Sequence, residues 1–335
     1  MSVRKIMLLG RSSLVISLPK PWLQLHKLKK GDAVSISMRR DGAMVVYPSV
    51  KKGEDRYVQI EVDKNEPKEL IARKIIALYL NGYNNIELKS TGVFPPHQQQ
   101  LIREIARKLY LRIMEASPKH FYFQSYLDES KVSIDLSVRR MHSVAYSMCK
   151  DAVTALKEND LELARTIYAL DDDVDNFYHF IRKILRSAML NFSLAETLGV
   201  TPLSCLDYKR LVDCIEHTAD CASNIVKSVI LLNETGYRIP THIMELLVNF
   251  GSAATEIYNE AVNTFFEEDL NKANSIINKR NSLWNISTKI SESILKEQEA
   301  TLVCTICSLR EYIDRIIDYS VDIAETAINK SLSYV

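Results

Sequence analysis

The sequence predicts a multidomain, mainly α protein: a small β head, a middle α/β layer and tandem three-helix bundles. Three observations predict it. From residue 131 onward, apolar residues recur at alternating steps of three and four, the signature of helices buried along one stripe. Only nine glycines occur in 335 residues and 47% of the chain is hydrophobic, which suits packed helices and not an all-β protein. Charge is also uneven: through Arg56 twelve Lys+Arg stand against four Asp+Glu, while the rest carries 31 against 38. A basic head on an acidic body suggests a polyanion partner at the head. The boundaries read as 1–52, 53–130, 131–236 and 237–335.

Several classes are set aside. No uncharged apolar run approaches the length of a membrane span, and Met1 to Gly10 lacks the apolar core of a signal peptide, so a cytoplasmic protein without membrane insertion is expected. Six cysteines (Cys149, Cys205, Cys214, Cys221, Cys304, Cys307) fall mostly within helical patterns, which points to a reducing compartment.

In the head, Val3 to Leu9 and Leu14 to Leu18 are short apolar runs split by Gly-Arg-Ser-Ser; a helix-like stretch from Trp22 to His26 follows Pro19-Lys20-Pro21. Two further strands, Ala33 to Met38 and Ala43 to Tyr47, flank Arg39-Arg40-Asp41-Gly42, where Asp-Gly is a hairpin signal. So small a unit buries little alone, and dimerisation is the expected remedy. The stretches Arg4-Lys5-Ile6, Leu9-Gly10-Arg11, Val15 to Lys20 and Leu28 to Asp32 resemble the SpoVT–AbrB domain. That resemblance implies a swapped-hairpin homodimer that binds DNA, with Arg4, Lys5 and Arg11, and more weakly Lys20, facing phosphates. Trp22 and Leu23 stand where many members of that family carry arginines.

Lys51 to Asp55 reads as a linker. Beyond it, Tyr57 to Val62 alternates like a strand. Pro67 opens a helix carried by Leu70, Lys74, Ala77, Leu78 and Asn81 and closed by Gly82. Ile86 to Lys89 is strand-like, Pro95-Pro96 opens a helix to Leu109, and Leu111 to Glu115 with Phe121 to Tyr126 form two more strands. This order implies a small sheet covered by helices on one side. It holds no phosphate-cradling glycine loop and no nucleophile motif.

In the body, Ile134, Val138, Met141, Ala145, Met148, Ala152 and Leu156 mark a first helix; a second starts at Asn159-Asp160 and runs past Met189, and a third follows Pro202 to Leu232. Gly236 to Pro240 separates the halves. The pattern restarts at Ile243, and Phe266 to Ala273 echoes Lys157 to Ala164, so the body is internally duplicated. Carboxylates one turn apart flank the stripes: Asp171 and Asp175, Glu216 and Asp220, and in the second half Asp314 and Asp318. Residues four apart share a helix face, so each pair presents two oxygens to one side, a donor set suited to hard cations such as magnesium or manganese and also to iron.

These blocks, together with Leu170 to Asp175, Glu216 to Ile225 and Asp314 to Glu325, resemble the PhoU family of phosphate-uptake regulators over most of the last two hundred residues. A PhoU-like body behind an AbrB-like head resembles an archaeal form of that family. The resemblance implies a non-enzymatic regulator of phosphate uptake and homeostasis that binds iron or zinc clusters through its paired acids. It puts Asp171, Asp175, Glu216 and Asp220 in one cluster. In the second half, Arg280 and Trp284 occupy the positions matching Asp171 and Asp175.

The expected role is a transcriptional regulator coupling this body to the head. The alternatives are an adaptor that inhibits the phosphate ABC transporter ATPase or a sensor protein without touching DNA, and a metal-dependent helical-bundle enzyme. Against the enzyme, the acids flank the core and lack the Glu-x-x-His arrangement of ferritin-like iron sites. Cys214, His217 and Cys221 share one helix stripe and form a rival zinc site with no fourth ligand in view; packed cysteines are the expectation there and at Cys304 and Cys307.

Overall fold

The computed structural model describes residues 3–38, 42–48 and 56–333. Residues 1–55 and 56–335 form two compact units, each described by itself below.

In the first unit, β1 (Met7–Leu9) pairs antiparallel with β2 (Ser13–Val15), and α1 (Lys20–Leu25) precedes a second hairpin of β3 (Ser35–Met38) with β4 (Met44–Tyr47). The first two strands are shorter than their apolar runs suggest. Gly10, at φ 69°, turns the chain directly after Leu9, and Pro19 leaves no amide to extend the ladder. Arg39 to Asp41 and the Lys51 to Asp55 linker lie outside the described residues. None of the described residues of this unit is buried: Leu8 is 66% exposed, Leu14 70% and Met38 80%. The hairpins thus have an apolar surface and no core of their own.

The second unit begins with β5 (Tyr57–Val62), α2 (Lys68–Leu80), β6 (Asn85–Ser90), α3 (Pro96–Lys108), β7 (Arg112–Ser117) and β8 (His120–Gln124). The sheet order is β5-β6-β8-β7, parallel between the first two and antiparallel thereafter. Strand alternation sends Val62, Ile86, Leu88, Phe121 and Phe123 into one core with Ile71, Ile75, Tyr79 and Ile102 of the helices. The buried stripe of α2 differs from the expected one: Leu70 is 42% exposed, and Ile71, Ile75 and Tyr79 face the sheet, because apolar residues occur on both sides of this helix and only docking chooses between them. The other sheet face is polar, with Glu87 receiving Tyr57, His120 and Lys89.

The body comprises α4 (Ile134–Glu158), α5 (Leu161–Leu190), α6 (Phe192–Leu198), α7 (Pro202–Thr235), α8 (Thr241–Glu267), α9 (Leu270–Ile294) and α10 (Ala300–Ser331). The repeated sequence block is one turn used twice. Asn159 ends α4 in the left-handed conformation and Asp160 caps α5 through Leu163 N–H; Glu268 and Asp269 do the same between α8 and α9. One continuous core joins both halves, running from Val138 and Ala145 through Ile215 and Val226 to Phe250, Ile313 and Ile323. The short α6, capped by Asn191 and closed by Gly199, is an element that the apolar spacing does not announce.

The α/β layer is fastened to α5. The Lys183 side chain is fully buried, with Nζ 2.8 Å from Asn84 Oδ1, 3.4 Å from Glu129 Oε1 and 4.6 Å from the centre of the Tyr79 ring. Arg186 donates to the Leu80 carbonyl and to Asn81 Oδ1. Among the described residues no helix is long and apolar enough to cross a membrane.

Candidate functional site

Antiparallel packing of α5 on α7 sets Asp171 and Asp175 opposite Glu216 and Asp220. The apolar residues beside them, Val174 on α5 and Ile215 and Ala219 on α7, are buried and hold the two backbones together. Asp171, Asp175 and Glu216 are therefore half-buried at the edge of the seam, and Asp220 is exposed beside them. Burial and the neighbouring Asp175 raise Asp171; burial raises Asp175, opposed by Lys108 and reinforced by Asp220; burial and Asp171 raise Asp220. Glu216 feels this most: burial, then Asp220, Asp175, Asp213 and Asp171, push its carboxyl up to about 8. Its Oε2 accepts no hydrogen bond, although His217 Nε2 stands 3.4 Å away, and Asp213 Oδ1 is likewise buried without one. Hard oxygens held close, mutually repelling and partly unpartnered, match a divalent cation in chemical type. Among the described residues, however, no three His, Cys, Asp or Glu groups converge closely enough to hold a metal ion, so coordination requires these side chains to rotate.

The groove is not formed by the body alone. Lys108, at the end of α3, sets its ammonium 2.5 Å from Asp172 Oδ1 and 3.9 Å from Asp175 Oδ2. Its partners lie more than sixty residues away, so no local sequence pattern signals it. His179, one turn beyond Asp175, is lowered to about 4 by burial, with Arg182 and Lys108 adding to the effect.

The second half resolves the same geometry differently. Arg280 pairs with Asp318 at 2.6 Å, and Asp314 accepts from Ser287 Oγ at 2.8 Å with Arg310 at 3.7 Å. Arg280 stands where the first half has Asp171, and Asp318 where it has Asp220. One change of sign turns a repelling pair into a salt bridge, and Asp314 and Asp318 are not gathered with the first four acids. Trp284, at the position matching Asp175, is 62% exposed.

The other sequence candidates are placed as follows. Cys214 and Cys221 are buried in the core, where burial raises both thiols to about 12, while His217 lies half-exposed beside Tyr319. Cys304 is exposed and Cys307 half-buried, so Cys304 does not pack as expected. In the first unit, Arg4, Lys5, Arg11 and Lys20 are exposed; Arg11 sits in the β1–β2 turn and Lys20 opens α1.

Comparison with known proteins bears on both parts. Residues 138–229 match the PhoU domain, and residues 8–54 match the family described as "Antidote-toxin recognition MazE, bacterial antitoxin". Two proteins named as phosphate-specific transport system accessory protein PhoU homologs are similar: one from Rhizobium meliloti, 24% identical over 212 residues, and one from Clostridium acetobutylicum, 24% over 216. Each match takes in 62% of this chain, with 87% and 92% of the relative. Among solved structures, PhoU from Pseudomonas aeruginosa shares the fold at TM-score 0.54 and 18% identity, over 60% of this chain and 96% of that one. The phosphate transport system regulatory protein PhoU from Streptococcus pneumoniae does so at TM-score 0.51 and 17% identity, over 60% of this chain and 94% of that one.

Proposed function

We propose that this chain, a PhoU domain carried behind a MazE- and AbrB-like head, regulates phosphate uptake and phosphate homeostasis and conveys the state of its helical body to DNA. One observation carries the reading: the PhoU match at 138–229 includes Asp171, Asp175, Glu216 and Asp220 and the helix segments that bring them together. The relatives similar over this region are named as accessory proteins of phosphate-specific transport.

In this reading the four acids hold a hard metal ion, iron, manganese or magnesium, with zinc the softer alternative; Asp314 and Asp318, engaged by Arg280, Ser287 and Arg310, do not form a second site. A bound cation would supply the groove with positive charge that Glu216 otherwise finds only in a protonated His217, 3.4 Å away, and the protein's part is to fix the carboxylates and to offer Lys108 as a competing cation. The head acts as a homodimer. Its support is the exposed apolar surface of β1 to β4, which a second copy would cover. The DNA role is supported by Arg4, Lys5, Arg11 and Lys20, exposed and without ion pairs among the described residues. Such cations deliver phosphate contacts and a steep salt dependence, not sequence readout.

The adaptor reading, in which the body docks on a transporter ATPase or a sensor and the head only dimerises, has one observation in its favour: the two solved PhoU chains are almost wholly accounted for by 60% of this chain. Electrophoretic retardation of the chain's own promoter over several salt concentrations separates the two. The regulator shifts that promoter above random DNA, and combined alanine substitution of Arg4, Lys5 and Arg11 flattens the salt slope by about one for each phosphate no longer neutralised. No shift above random DNA leaves the adaptor. Calorimetry with Mn²⁺ tests the metal: heats unchanged after Asp175→Ala with Asp220→Ala would remove it.

A further inference from the structure

A cavity of about 690 Å³ lies where the two halves of the body are joined, away from the acidic groove. Its walls are the end of α4, the end of α7, the 236–240 connection and the first turns of α8. The volume falls within the range of small-molecule sites, ~300–1,000 Å³. Leu156, Leu232 and Ile239, all buried, contribute an apolar floor.

Three features of the lining define what fits. Tyr237 presents a half-buried ring whose hydroxyl is held by Glu299 Oε1 at 2.9 Å, a fixed flat surface for a planar group. Arg238, next in sequence, and Lys157, on α4, are exposed cations at the rim without ion pairs among the described residues. The start of α8, after Pro240, lines the cavity as well, with no side-chain cap and no acidic residue in its first turn, although its sequence counterpart α4 has Ser133 as cap and Asp135 beside it. Glu158 and Glu245, both exposed, also line the cavity and, among the described residues, are likewise without ion pairs. A bare inorganic anion would meet about as much repulsion as attraction there. A ligand with an anionic end and a planar, hydrogen-bond-donating end uses both signs of charge and the ring.

We propose that this cavity binds a nucleoside phosphate: its heterocycle lies on Tyr237, its phosphate is held by Arg238, Lys157 and the start of α8, and its ribose and ring donors meet Glu158 and Glu245. Because the lining comes from both halves, the ligand bridges them across the 236–240 connection.

Titration calorimetry of the full chain with AMP, ATP, adenosine and inorganic phosphate as separate arms tests the assignment. One nucleotide binds per chain, and Arg238→Ala weakens it by about tenfold or more, with Arg238→Lys recovering part of the loss. Val248→Trp, which fills the cavity, abolishes binding, and adenosine or phosphate alone binds far more weakly. Absence of binding by both nucleotides overturns the proposal, as does nucleotide binding indifferent to Arg238→Ala. Inorganic phosphate binding as tightly as AMP overturns the assignment of an organic ligand. Should Val248→Trp fail to fold, the two Arg238 variants decide.

Discussion

Glu216→Gln should stabilise this protein at alkaline pH and change little near pH 5. The carboxyl is lifted from an ordinary value of 4.5 to about 8, first by burial and then by four neighbouring carboxylates, and its side chain is only 17% exposed. A group whose folded value is raised contributes stability that is fully present below its unfolded value and is lost as pH climbs through the folded one. The window is therefore pH 4.5 to 8. At ~1.4 kcal/mol for each pH unit, the wild type loses up to ~3 kcal/mol from this group between about pH 5.5 and 8. Because Asp171, Asp175 and Asp220 titrate with it, roughly half of that is the expected observable. Glutamine keeps the shape and cannot ionise. Urea unfolding of both proteins at about pH 5.5, 7 and 9, in chelator and low salt, reads the difference directly. His142 and His179, both lowered by burial, contribute their own pH dependence below 6.5, but equally in the two proteins. A difference between variant and wild type that stays flat across that range would refute the charge frustration inferred for the groove. Added Mn²⁺ extends the test: at roughly a hundredfold excess over its dissociation constant it should return ~2.7 kcal/mol to the wild type at alkaline pH and much less to the variant.

Three further outcomes are expected. Lys108→Ala removes the cation that Asp172 and Asp175 now share, so Mn²⁺ should bind several-fold tighter by calorimetry; unchanged or weaker binding would show that Lys108 does not compete for the groove. Lys183→Met deletes a fully buried ammonium and leaves Glu129 and Asn84 without it, for a loss of ~3 kcal/mol in urea unfolding, accompanied by faster amide exchange in α2. Gly251→Ala places a Cβ 2.8 Å from Val153 Cγ2, where α8 passes close to α4, and this crowding should outweigh the ~1 kcal/mol helix-propensity gain. A thermal midpoint above wild type would show that the two helices separate freely.

What can be read from the sequence is what is encoded locally. Spacing along a helix locates α4, α5, α7, α8 and α10 because each stripe needs only its own residues to be visible, as Val138, Met141, Ala145 and Met148 are on α4. Turn chemistry does the same for the joints: Asp160 and Asp269 cap helices in equivalent places, and the repeated block surrounding each is the trace of one local structure used twice. The α6 helix escapes because its seven residues span a single heptad and leave no period to detect. The buried face of α2 escapes for a related reason: apolar side chains lie on both sides of that helix, and the choice is made by the sheet, not by the helix.

The acidic groove falls between these limits. Helix spacing sets Asp171 beside Asp175 and Glu216 beside Asp220, but whether two pairs attract or repel depends on what stands across the seam. In the first half carboxylates face carboxylates, and the cost appears as the high value of Glu216. In the second, Arg280 pairs with Asp318, and Asp314, raised by burial and by Asp318, is relieved by Ser287, Arg310 and Arg280. The duplication therefore carries a control within one molecule: Arg280→Asp should recreate the repulsion of the first half, lowering stability at neutral pH and making that loss recoverable by divalent cation. Simple destabilisation that Mn²⁺ does not relieve would mean that a paired-acid frame is insufficient, and that the first half owes any metal affinity to a group the second half lacks, such as the acid that Trp284 replaces at the position of Asp175.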